Sequence, residues 1–218
     1  GKEIVLHTSQ HFNWVQVAGA ITHPDKGKVL DLSSTINKET GLNDSSIRLY
    51  PVDGYGSPDL LRYLMTAEKP DAILHYTDPR FWEWLYQMEH EIRQHIPIFY
   101  YNIWDDLPYP IWNEPFYESC DLIMNISKQT VNIVDNVRKD VPTNEWNNTY
   151  IPHGINHKNF YPIDKTQKEW GDMIEFKKIV TGGRDYDFIV FWNNRNIRRK
   201  LPGDVIMAYK TFCDIIKK

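Results

Sequence analysis

Short β-favouring apolar runs alternate along the chain with segments whose apolar residues recur three and four apart, and this alternation is the strongest signal in the sequence. The opening Glu3–Thr8 reads as a strand. Asn13–Ile21 reads as a helix, with Trp14, Val17, Ala18 and Ile21 at helical spacing. Further strands are predicted at Val29–Leu32 and Ile47–Tyr50, before the turn-rich stretch from Pro51 to Pro58. Asp59–Ala67 carries Leu60, Leu61, Leu64 and Met65 on one helical face, with Ser57 and Pro58 placed as a cap and a first-turn proline. Ala72–Tyr76 is the next strand. Arg80–His95 repeats Phe81, Trp84, Leu85, Met88 and Ile92 between charged residues, which predicts one long amphipathic helix ended by Pro97. Ile98–Tyr101, Leu122–Ile126 and Thr149–Ile151 complete the strands, with a helix over Lys128–Arg138.

Strands alternating with helices imply parallel crossover units, so the expected fold class is α/β, a Rossmann-like, mainly parallel sheet with flanking helices. The rhythm breaks at Tyr161–Gly183, which is charged and reads as a linker with a helix inside. A new βα unit follows, with a strand at Phe188–Trp192 and an amphipathic helix at Asp204–Ile216. The expected organisation is therefore a first domain over 1–160, a linker over 161–184 and, over 185–218, the first βα unit of a second α/β domain. A single strand and helix cannot bury their apolar faces alone. They pack on the first domain, or the rest of a second domain lies beyond the chain. No internal repeat or low-complexity tract is visible.

Composition narrows the partners. With 41% hydrophobic and 14% aromatic residues, the 218-residue chain is too apolar to be disordered. A formal charge of −4 supplies no basic face, so a nucleic-acid partner is disfavoured. Cys120 and Cys213 lie far apart and read as thiols rather than a disulfide framework. Asn43, Asn125 and Asn147 head Asn-x-Ser/Thr triplets, but no secretory signal or long apolar run accompanies them. A cytoplasmic protein without a transmembrane segment is expected.

The densest candidate chemistry is Tyr100–Pro110, which holds Trp104, Asp105, Asp106 and Tyr109. It follows a strand and should lie at the carboxyl edge of the sheet, where open α/β folds place ligands. Its rings suit sugar faces and its carboxylates suit hydroxyls. A metal-binding diacid at Asp105 and Asp106 is disfavoured, because adjacent side chains rarely converge on one ion and no His or Cys set accompanies them. His75 and Asp78 are cleft-edge candidates, with a structural role the favoured one for His75. His153 could reach the cleft or cap its turn. Arg195, Arg198, Arg199 and Lys200 form either an anion site or a solvated basic turn. No Gly-x-Gly-x-x-Gly follows a strand, which ranks a dinucleotide oxidoreductase low.

Two segments carry a family resemblance. Tyr150-Ile151-Pro152-His153-Gly154-Ile155-Asn156, with Phe160 and Pro162, resembles the crossing between the two domains of GT-B-type glycosyltransferases of the retaining, group 1-like kind. Ile189 to Lys200, with Ala208 in the following helix, is similar to the opening of their second domain, where a strand delivers an Arg and then a Lys towards the donor diphosphate. The resemblance implies transfer of a sugar from a nucleotide-sugar donor, without a further cofactor or metal, to an acceptor on the first domain. By it, Arg195 and Lys200 bind the donor, Asp105 takes the catalytic position, and His75, Asp78, Trp104, Tyr109 and His153 line the acceptor side or cleft. Departures are plain: Trp104 stands where the family commonly has a His, and Ser9-Gln10-His11-Phe12 stands where many members have a glycine pair. The family's paired-glutamate donor motif would lie beyond Lys218, so the isolated chain is expected to be inactive and to need a missing C-terminal half. The alternative is a non-catalytic carbohydrate- or protein-binding α/β module related to such enzymes.

Overall fold

The computed structural model describes residues 1–19, 22–142, 144 and 147–216. The chain forms two compact units, Gly1–Asn156 and His157–Lys218.

The first unit holds two sheets. In the smaller, β1 (Trp14–Ala18) and β3 (Ile47–Pro51) run parallel and β2 (Leu30–Asp31) pairs antiparallel with β3. The larger is all-parallel and in chain order: β4 (Ile73–His75), β5 (Ile98–Asn102), β6 (Leu122–Asn125) and β7 (Asn148–Tyr150). Helices cross between successive strands. α3 (Pro58–Ala67) precedes β4, α4 (Glu83–Gln87) and α5 (Glu89–Ile92) precede β5, α6 (Glu114–Glu118) precedes β6, and α7 (Lys128–Val137) precedes β7. The unit is thus α/β, with a four-stranded parallel sheet flanked by helices.

Alternation along the strands explains the core. Ile98 and Tyr100 on β5 and Ile123 on β6 meet Ile92 of α5, Tyr117 of α6 and Ile133 and Val134 of α7, all at most 1% exposed. Cys120 joins them, and burial pushes its thiol well up from the ordinary range. Ser57 and Ser127 act as N-caps, accepting hydrogen bonds from the Leu60 and Thr130 amides at 3.3 and 3.0 Å. The loops after β1 and β3 come into backbone contact: a Cβ added at Gly19 would lie 2.4 Å from the Gly54 carbonyl oxygen.

Several predicted elements change. The N-terminal strand and helix are exchanged, since Lys2–Thr8 is a helix, α1, and Trp14–Ala18 is β1. Five paired positions with β3 outweigh the helical spacing of Trp14, Val17 and Ala18, and burying Val5 against Ile36 and Ile47 holds α1. Ile21, the end of that expected helix, lies outside the described residues. The long helix over Arg80–His95 is broken into a 3₁₀ turn (Pro79–Trp82) and the two short helices α4 and α5, which share Met88 at φ −91°, ψ 5° as their cap. α2 (Ser33–Thr40), ended by Gly41 at φ 80°, buries Ile36 alone and is too polar to show a periodicity. α6 is likewise an addition to the predicted elements.

In the second unit, α8 (Lys168–Thr181) and α9 (Pro202–Ile216) form as helices, but no described residue is buried. The expected strand Phe188–Trp192 does not form, and Phe188 and Phe191 are 61% and 84% exposed. A strand needs a neighbour for its backbone donors and acceptors, and within this unit the run has none to pair with. Among the described residues no helix is long and apolar enough to cross a membrane.

Truncating the core should separate the two units energetically. Ile133→Ala, at a site with no exposure, is expected to lower unfolding stability by about 2–5 kcal/mol. Ile206→Ala on exposed α9 should change it by less than about 0.5 kcal/mol. Urea unfolding followed by circular dichroism checks both.

Candidate functional site

Because β4 to β7 are parallel, their carboxyl ends open on one edge, and the loops that follow them bring most of the candidate residues there. The loop after β5 is tightly held. The Asn102 side-chain oxygen accepts from the Trp104 amide at 3.1 Å, and the Thr130 hydroxyl donates to the Trp104 carbonyl at 2.9 Å. Gln129 donates to the Asp105 carbonyl at 3.4 Å, and the Trp104 indole to the Asp106 carbonyl at 3.1 Å. The first turn of α7 therefore fixes the Trp104–Asp106 backbone, and both Asp side chains are left exposed.

Asp78 and Arg80 complete this part of the edge. The Arg80 guanidinium grips the Asp78 carboxylate through Nε and Nη2, the latter at 2.5 Å, and its Cζ stands 5.1 Å from the Trp104 ring centroid. The Arg80 hydrogen bond holds the Asp78 carboxyl below its usual range. Tyr109 is pinned as well, its hydroxyl accepting from Asn132 of α7 at 3.3 Å. Trp112 meets Trp104 edge-on with centroids 6.4 Å apart.

His153 and His75 have different surroundings. His153 is exposed, and its Nδ1 lies 3.2 Å from the Tyr101 hydroxyl, which also donates to the Ile151 carbonyl at 3.0 Å. Its ring packs on Tyr101 and Tyr76 at 5.4 and 6.3 Å. His75 is 4% exposed and lies beneath the edge, stacked on Tyr100 at 5.1 Å with Nδ1 2.5 Å from the Tyr86 hydroxyl. Burial lowers its pKa to about 4, with the Asp78 charge opposing, so the ring is neutral at pH 7. His75 thus takes the structural role favoured for it, and its place among the cleft-edge candidates is corrected to a core position.

Sequence reasoning missed the buried amides beneath this edge. Asn102 donates to Asn125 at 3.1 Å, Asn125 to Asn148 at 2.6 Å and Asn148 to Asp135 at 2.8 Å. The signal was present: Asn, disfavoured in strands, ends the apolar runs of both β5 and β6. Buried and bonded, Asn125 is closed to glycosylation in the folded chain. Arg195 and Lys200 belong to the second unit, where Arg195 is exposed and Lys200 ends a 3₁₀ turn (Arg198–Lys200) ahead of α9. Among the described residues no group of three or more His, Cys, Asp or Glu is placed to hold a metal ion. No family model, curated protein or solved structure matches the chain.

The neutral burial of His75 gives an acid sensitivity with a definite sign. Its folded pKa of about 4 lies below the ordinary 6.5, so the unfolded chain takes up this proton first. The contribution is complete above pH 6.5 and falls, by roughly 3 kcal/mol in total, as pH drops to about 4. Urea midpoints measured across that window should decline in the wild type. His75→Phe should lose this part of the decline, whatever its effect at neutral pH.

Proposed function

We propose that the chain is a glycosyltransferase of GT-B type, or the acceptor-side portion of one, moving a sugar from a nucleotide-sugar donor to an acceptor at the carboxyl edge of β4 to β7. One observation supports the reading above the others: Trp104 and Asp105 leave a parallel strand on a backbone clamped by Asn102, Gln129 and Thr130, beside Asp78–Arg80 and the pinned Tyr109. Preorganised groups of this kind orient a hydroxyl nucleophile without reorganising during the reaction. Asp105 takes the proton of the acceptor hydroxyl as its oxygen attacks the anomeric carbon, and the nucleoside diphosphate leaves with the electron pair of the broken bond. Trp104, Tyr109, Asp78 and His153 bound the acceptor. Arg195 and Lys200 stabilise the departing diphosphate through charge-assisted hydrogen bonds. The reading places the protein in the cytoplasm, with no cofactor beyond the donor substrate and no nucleic-acid partner.

The alternative, a binding module without catalysis, draws on the second unit, where the basic turn stands among residues none of which is buried. Assay of the whole reading frame that encodes this chain, with UDP-glucose, GDP-mannose and other nucleotide sugars, separates the two. Transfer is expected, and Asp105→Asn should abolish most of it. Absence of both nucleotide-sugar binding and transfer would overturn the proposal in favour of the module.

The donor assignment makes a sharper demand. Loss of one charge-assisted contact to the diphosphate costs about 1.5–3 kcal/mol, so Arg195→Ala should reduce kcat/KM by roughly tenfold to a hundredfold. Arg198→Ala should leave it within about twofold. Equal small effects in the two variants would return the basic turn to a solvated surface.

A further inference from the structure

The segment after Asp106 exposes apolar side chains at a density unusual in the first unit. Leu107, Tyr109, Ile111 and Trp112 are 54%, 38%, 54% and 58% exposed within six residues. Contiguous apolar exposure of this kind marks an interaction surface. Its rings are not loose: Asn132 holds Tyr109, and Trp112 rests its edge against Trp104, itself fixed at both backbone ends. Rigid aromatic faces bind with little loss of side-chain freedom.

Along this segment of chain the charge has one sign. Asp105, Asp106, Glu114 and Glu118 lie between Trp104 and Glu118, and no Lys, Arg or His does. Among the described residues neither Asp105 nor Asp106 forms an ion pair. Arg80, the cation over Trp104, is already neutralised by Asp78. Phosphorylated, sulfated or carboxylated ligands would meet uncompensated carboxylates here, and so would an anionic lipid surface. Neutral, hydroxyl-rich rings would meet complementary groups, their C–H faces on Trp112 and Tyr109 and their hydroxyls donating to Asp105, Asp106 and Glu114.

We infer that the surface from Trp104 to Glu114 binds an uncharged oligosaccharide several rings long, which makes the acceptor a neutral glycan chain rather than a small, phosphorylated or lipid-linked anionic molecule. This rests on the glycosyltransferase reading of the same edge. Trp112 is the outer stacking platform, and Asp105 marks the inner end of the chain.

The test titrates the 218-residue chain with maltopentaose, cellopentaose and chitopentaose, with a heparin-derived pentasaccharide, and with phosphatidylcholine–phosphatidylglycerol vesicles. Saturation-transfer NMR and tryptophan fluorescence read binding. At least one neutral pentasaccharide should bind, and more tightly than its monosaccharide. Trp112→Ala should weaken it about tenfold at an unchanged melting temperature, while Trp112→Phe retains most of the affinity. The inference is overturned if no neutral pentasaccharide binds, if only the heparin fragment or vesicles bind, if Trp112→Ala binds like the wild type, or if the surface proves to join two copies of the chain. The two readings fail separately: glycan binding with neither nucleotide-sugar binding nor transfer by the whole reading frame removes the transferase and keeps the surface. Transfer to an anionic acceptor does the reverse.

Discussion

Buried amides at the carboxyl ends of β5 and β6 and the start of β7 are the constraint on which the rest of the first unit depends. Asn102, Asn125 and Asn148 are cut off from water, and each unmet polar group there would cost about 1–3 kcal/mol. They are satisfied by one another, by Asp135 and by the Thr149 carbonyl, and only in the observed pairing of Asn102 with Asn125 across β5 and β6. A slip of one residue would turn every side chain of a strand to the opposite face. The ladder thus selects a register that the apolar residues around it, being interchangeable in kind, specify less sharply. It also reaches the surface, because the side-chain oxygen of Asn102 accepts from the Trp104 amide and sets where the exposed loop begins.

What could be read from the chain and what could not follow from the range of the interactions involved. β4 to β7, α3 and α7 are local in origin, with apolar runs of the right period and serine caps at Ser57 and Ser127, and they are found where the pattern puts them. β1 is decided instead by its ladder with β3, some thirty residues on, which no window around Trp14 contains. The break at Met88 and the polar α2 are likewise decided by packing. At the candidate site, the position of Trp104, Asp105 and Tyr109 was legible from one segment. Arg80, Tyr76 and the asparagine ladder were not, because each owes its place to a partner on another strand or loop.

The second unit shows the same physics from the other side. α8 and α9 span 14 and 15 residues, near the length at which a helix in water is marginal without tertiary support. Gly182 caps α8 at φ 61°, and Lys210 pairs with Asp214 along α9, so local devices are present. Yet Phe176, Ile179 and Val180 on α8 and Ile206, Met207 and Ile215 on α9 are all exposed. No described residue of this unit is buried, whereas the order of the first unit rests on a shared core.

The burial of Cys120 gives the molecule a pair of thiols with opposite habits. Cys120 lies within the core of the first unit, with its sulfur 3.2 Å from the Phe116 carbonyl and its deprotonation suppressed, so it cannot attack an alkylating reagent until that core opens. Cys213, half-buried on α9, has no such shelter. The chain therefore carries one natural label for each unit. A thiol-specific reagent will mark Cys213 directly and Cys120 only as the parallel sheet opens, so the two can be told apart without any residue having to be changed.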